Sequence, residues 1–269
     1  MYLPLAALAI LIVVGGRAAI DRWQLAKPMA RRGLLAVAAI AVALLAVRTW
    51  LRNAEFADPL TLWQTVVERR PHGRARMAYG SELMLLNRHD EALAQLRAAV
   101  ADFPNARAAL GTELLVSGHP DEAAREFRTF IAQGPTLANR IPAQQLLVRA
   151  LTEQGRLDEA AAELRRVMAV LPNDQMAQQS RATLGYEYRK KAEGLLKSGD
   201  VDGAMIAARQ ALALNAKDGE AHNLLGAALA TRGRLEEAIA EFQEAVSINP
   251  IDQRAANNLS HALALRANR

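Results

Sequence analysis

Cysteine is absent from the 269 residues. That excludes disulfides, thiolate metal sites and cysteine nucleophiles. It says nothing about compartment, because a thiol-free chain suits oxidising and reducing surroundings equally. Aromatic residues are scarce at 4%, although 51% of the chain is hydrophobic. Alanine and leucine make up the difference. Both are strong helix formers without β-branching, so the composition predicts an all-α chain. Ten prolines and sixteen glycines are too few for a loop-rich β protein. There is no G-x-G-x-x-G, no G-K-S/T loop and no G-x-S-x-G elbow. His72, His89, His119, His222 and His261 include no pair at H-E-x-x-H spacing; each is expected at a turn or on a helix surface. The chain is therefore read as a non-enzyme with no cofactor and no metal.

A basic stripe is missing too. The net charge is +5, yet residues 1–52 hold seven bases against Asp21, so the rest of the chain is close to neutral. A neutral body has few condensed counterions to release and argues against a nucleic-acid partner.

Two long runs lack charge altogether. Residues 1–16 and 33–47 contain no charged side chain. Extended to Ile20 and Leu51, each comes near the ~20 residues that span a bilayer. Trp23 and Trp50 lie just beyond them, where interfacial indoles are expected. The intervening loop, about 17–32, carries five bases and one acid. An excess of positive charge marks the cytoplasmic side. The expectation is an integral membrane protein, in the inner membrane if bacterial. Everything after residue 52 would then be extracytoplasmic (periplasmic in a bacterium).

The remaining two hundred residues repeat. In a 34-residue unit starting at Gly219, Leu225, Gly226 and Leu229 mark a first helix and Gly233 a turn. Ala238, Phe242 and Ala245 mark a second helix that Pro250 ends. The pattern recurs at Leu195, Gly199, Ala204, Ala208 and Ala211, and at Leu147, Leu151, Gly155, Ala160, Leu164 and Pro172. It recurs again at Leu110, Gly111, Gly118, Ala123, Phe127 and Pro135, and at Tyr79, Gly80, Leu83, Asn87, Ala92, Leu96 and Pro104. Small residues at the eighth and twentieth places let two antiparallel helices approach. Large ones at the seventh, eleventh and twenty-fourth fill the gap. Glycine or asparagine takes the left-handed turn, and proline stops the second helix. Glu91, Glu122, Glu159 and Glu237 fall at the start of second helices, where the macrodipole favours them. The spacing contracts to 31 between Gly80 and Gly111 and expands to 44 between Gly155 and Gly199. The helix around 176–196 is therefore either unusually long or broken near Gly185.

These residues resemble the tetratricopeptide repeat family. The resemblance implies an α-solenoid, a right-handed superhelix of antiparallel helix pairs, built on the transmembrane helical hairpin of residues 1–52. A juxtamembrane half-repeat covers 53–72. Five repeats follow at about 73–103, 104–140, 141–184, 185–218 and 219–252, and a capping helix at 253–269. It also implies binding of a protein or peptide partner on the concave face that the first helices line. Places two, five, nine, twelve and thirteen of each unit point there. They give Gln145, Arg149, Tyr186, Arg189, Glu193, Asn223 and Asn257 as candidate peptide-binding residues, with Met77, Ser81, Met84, Thr112 and Leu115 in earlier units. Asn223 and Asn257, one repeat apart, are placed to hydrogen-bond an extended backbone.

The order of the parts adds a narrower likeness. Tyr2-Leu3-Pro4, a basic loop, a second apolar run, then Arg52-Asn53, Asp58 and Leu62-Trp63 ahead of the repeats resemble the end of transmembrane O-mannosyltransferase-like glycosyltransferases. That resemblance implies a non-catalytic C-terminal portion beside a membrane glycosyltransferase that uses a lipid-linked sugar donor. No residue here matches that family's catalytic acid. An envelope or pilus assembly factor is the remaining alternative.

Overall fold

The computed structural model of the chain describes residues 14, 15, 18 and 28–268. Thirteen helices and no strand occur among the described residues. They are α1 (Pro28–Ala57), α2 (Pro59–Arg69), α3 (Gly73–Leu85), α4 (His89–Val100), α5 (Ala106–Val116), α6 (Pro120–Ala132) and α7 (Leu137–Glu153). They continue with α8 (Leu157–Val170), α9 (Gln175–Ser198), α10 (Val201–Leu214), α11 (Gly219–Thr231), α12 (Leu235–Ile248) and α13 (Gln253–Ala267). From α3 to α12 they pack as five antiparallel pairs, each pair also touching the next, and one core runs from Leu93 in α4 through the rest of the array.

The eighth-place glycines face the twenty-fourth-place side chains. A Cβ on Gly226 would lie 2.7 Å from the Phe242 ring, and one on Gly111 2.8 Å from Phe127. Where the twenty-fourth residue is Ala208, the eighth is Ala192, and both are fully buried. Size is thus traded between the two places in these pairs, whereas the third pair closes with Val148 against the larger Leu164, both buried. The turn between helices is left-handed in all five pairs, at Asn87, Gly118, Gly155, Gly199 and Gly233, with φ between 56° and 85°.

α9 is one continuous helix of 24 residues, against 13 in α11. Gly185 does not break it, because glycine inside a helix costs only about 1 kcal/mol and tertiary contacts on both sides hold the helix straight through. Ten of the eleven additional residues extend it at its N-terminal end.

At the front of the array α2 packs as a lone second helix. Leu60, Trp63 and Val67 cover the small cluster of Tyr79, Leu83 and Ala92. Asp58 caps α2, accepting from the amides of Leu60 and Thr61, and Pro59 follows at the first helical place. α1 touches only α2 among the described elements. It leaves Val37, Ile40, Leu44, Val47 and Trp50 more than half exposed. Among the described residues no helix is long and apolar enough to cross a membrane. The first expected span, residues 1–16 extended to Ile20, and most of the basic loop lie outside the described residues.

Candidate functional site

First helices of adjacent repeats stand side by side, and the lengthened α9 changes what lies between two of them. Its added N-terminal turns form one wall of an open groove whose other wall is α7. The groove holds about 420 Å³, within the range of small-ligand and peptide pockets. Gln145, Leu146, Arg149 and Glu153 line it from α7, and Met176, Gln179, Ser180 and Thr183 from α9. The α9 residues fall at i, i+3, i+4 and i+7, which is one face of a helix.

The chemistry of the two walls differs. On α7 the polar groups are already engaged. Arg149 Nε donates to Glu153 at 2.8 Å, and Thr152 Oγ donates to the Val148 carbonyl at 2.8 Å. On α9 the amide of Gln179 and the hydroxyls of Ser180 and Thr183 have no partner among the described residues. Leu146 and the half-exposed Met176 add an apolar surface beside them. Free donors and acceptors next to an apolar patch suit a polar backbone that carries an apolar side chain.

Fifth-place residues have a structural task. Gln145 Nε2 donates at 2.6 Å to Asp174, which itself accepts from the Ala177 amide at the start of α9. Arg189 Nη1 donates at 2.9 and 2.8 Å to both oxygens of Asp218, which caps α11 through the Ala221 amide. α7 and α9 therefore each hold the cap of the next first helix. Gln145 is only 8% exposed. The Nε of Arg189 lies 3.5 Å from Glu220, near enough for charge attraction, yet it makes no hydrogen bond. Its guanidinium also sits 5.8 Å from the ring centre of Tyr186, a cation–π distance. Tyr186 itself is exposed.

The two asparagines expected to act together are separated. Asn223 is 3% exposed and accepts from Asn258 at 2.9 Å, closing the joint between α11 and α13. Asn257 stays exposed and accepts from Gln253 at 3.0 Å. One residue of helical rotation decides this, because it turns position 258 rather than 257 toward α11. Glu193 pairs with Lys197 at 2.9 Å. The hydrogen bond from Lys197, its charge and that of Arg254 hold the Glu193 carboxyl below its ordinary value. Of the earlier candidates, Leu115 is buried in the core, Met77 and Met84 pack against it, and Ser81 and Thr112 bond to carbonyls of their own helices.

Sequence reading missed three features. Met176, Gln179, Ser180 and Thr183 sit outside any 34-residue register; the 44-residue spacing was their only trace. Glu113 is 1% exposed and meets His89 Nδ1 at 2.7 Å and Ser117 at 3.4 Å. Tyr188, fully buried, donates to Asp158 at 2.7 Å, and burial with that bond pushes its hydroxyl well above the ordinary 10.0. The second-helix acids do more than face a dipole. Glu91, Glu159 and Glu237 each pair with the arginine three residues earlier. Among the described residues no group of side chains is arranged to hold a metal ion.

Comparison with known proteins agrees with this geometry. One tetratricopeptide repeat profile matches residues 44–107 and 189–266, and a second matches 114–184. A TPR repeats protein (BF2334) from Bacteroides fragilis is similar in structure with a TM-score of 0.53 at 15% identity, over 72% of this chain and 98% of that one. YrrB, described as a TPR protein with an unusual peptide-binding site, gives 0.45 at 18% identity, over 72% and 96%. The type IV pilus biogenesis factor PilW gives 0.41 at 16%, over 79% and 94%. Identities this low speak to fold alone. Comparison with curated proteins gives no match. With five helix pairs in register and the first profile alone spanning more than half of its residues, the chain belongs to the tetratricopeptide repeat family.

Proposed function

We propose that the chain is a non-catalytic binding protein that holds an extended segment of a protein partner in the groove between α7 and α9. One observation carries this reading. Gln179, Ser180 and Thr183 are unpartnered polar groups beside Leu146 and Met176 in an open space of about 420 Å³. An extended peptide supplies a donor and an acceptor at every residue, and it can set an apolar side chain against the Leu146–Met176 surface. Arg149 and Glu153 line the same groove, and the exposed Tyr186 further along α9 would extend the contact.

A photo-cross-linking residue at Gln179 of the full chain tests this. We expect a peptide or protein adduct that Ser180→Trp abolishes by filling the groove. Equal labelling from Arg166 on the opposite helix layer, or an adduct indifferent to Ser180→Trp, would remove the groove from consideration.

The same proposal seats the apolar N-terminal segments in a bilayer, with the repeats on the extracytoplasmic side. The uncharged runs and the exposed apolar side chains of α1 support it. A reporter active only outside the cytoplasm, fused after Arg269, should be active; an inactive fusion reverses the orientation.

The accessory portion of a membrane glycosyltransferase is the second reading, resting on the order of sequence parts. Asp58 and Trp63 already have structural work as cap and packing residue, which lessens their weight as a signature. An envelope or pilus assembly factor would use the same groove.

A further inference from the structure

The turn between α2 and α3 concentrates positive charge in a body that is otherwise balanced. Residues 69–76 contain Arg69, Arg70, Arg74 and Arg76 together with His72. Arg69, Arg70, His72 and Arg74 are exposed. Elsewhere in the array, arginines such as Arg88, Arg107, Arg156 and Arg234 meet a glutamate at 2.6–2.7 Å. Arg70 and Arg74 have no partner among the described residues, and Arg76 bonds only the neutral amide of Gln95 at 3.2 Å. Two acids lie near. Glu68 is engaged by Gln64 at 3.0 Å, and Asp102 accepts from the Gly73 amide at 2.9 Å. His72 Nδ1 accepts from the Ala75 amide, which leaves Nε2 as the ring's donor. Arg69 is engaged, but Arg70 and Arg74 offer guanidinium donors with no internal anion to satisfy them.

Position in the chain indicates where the anion is. α2 has 11 residues, so the turn stands about 16 Å at most from the end of α1 along that helix. α1 exposes Val37, Ile40, Leu44 and Val47. We infer that the 69–76 turn contacts anionic lipid headgroups, a polar foot for the repeat array beside its apolar anchor. Arginine donates to phosphate in a forked geometry, and basic residues next to a membrane segment are attracted to an anionic surface. The inference rests on the proposed bilayer seat of α1. An acidic protein surface is the competing source of the same charge.

The absence of cysteine permits a clean test. A fluorophore is attached to the full chain at Pro71→Cys, with Ser260→Cys in α13 as control, and the chain is reconstituted into vesicles carrying a headgroup-linked quencher. With phosphatidylglycerol in the vesicles, the label at position 71 should be quenched strongly, and the one at 260 should not. In phosphatidylcholine alone, in high salt, or with Arg70→Glu/Arg74→Glu, quenching should fall to the control level. Arg70→Lys/Arg74→Lys should retain most of it, which separates lost charge from lost fold. A chain that floats with vesicles of both compositions but whose position-71 label ignores lipid charge and both double variants overturns this inference alone. A chain that floats with neither overturns the anchor as well. A label that responds to a polyglutamate peptide in free solution, and not to anionic vesicles, assigns the turn to a protein partner and overturns the headgroup contact.

Discussion

The last repeat and the fourth handle glycine in opposite ways. In the last repeat Gly226 is required by packing, since an added Cβ would strike the Phe242 ring. In the fourth, Gly185 sits in α9 with nothing within 4 Å of where its Cβ would be. The regular unit is closed tightly, and its places are spent on bringing two helices together. The stretched unit carries ten residues beyond what closure needs, and they form a wall of the groove. Departure from the repeat, rather than the repeat itself, supplies the surface distinctive to this chain.

Six substitutions break or sharpen that comparison. Phe242→Ala empties a fully buried site in the regular pair and should cost about 3–5 kcal/mol in denaturant unfolding. Gly226→Ala should cost about 1–3 kcal/mol through displacement of the ring. In the Phe242→Ala background that loss should vanish, because the pair then resembles Ala192 and Ala208; additive losses would refute the size-trading account. Next, Asp174→Ala removes a helix cap and strands the buried Gln145 amide, for about 2 kcal/mol in total. Asp252→Ala, whose carboxyl caps α13 without such a partner, should cost about half of that. Gly185→Ala should stabilise the chain by up to about 1 kcal/mol, seen as slower amide exchange in α9; a loss would show that the space beside it is filled. The smallest effect concerns Asp58. Hydrogen bonds from the Thr61 hydroxyl and from the backbone hold its carboxyl below the ordinary 3.8. Its cap on α2 is fully present above that value and is lost as pH falls through the lowered one. Amide exchange at Leu60 and Thr61 should therefore gain protection between acid and neutral pH, and Asp58→Asn should flatten that dependence.

Much of the fold was legible because it obeys short-range rules. A small residue at place eight and a large one at twenty-four imply contact within a 34-residue window, and Gly226 with Phe242 bears this out. The five turn residues were readable because only glycine and asparagine adopt positive φ cheaply. The groove was not readable in the same way. A repeat register assigns no place to Gln179, Ser180 and Thr183, and it sends Gln145 and Arg189 to a concave face where neighbouring caps already claim them. One residue of rotation puts Asn258, rather than Asn257, against Asn223, which a pattern of period 34 cannot resolve.

The sequence by itself determined an all-α array of paired helices, the conformation of each turn and the split between an apolar, basic front and a neutral body. These follow from propensity, periodicity and charge, which act over a few residues or along one helix. Tertiary structure alone decided that α9 runs unbroken, that fifth-place side chains hold the next helix's cap, and which polar groups remain free. Those outcomes depend on competition among partners from different repeats, and that competition exists only once the helices are packed.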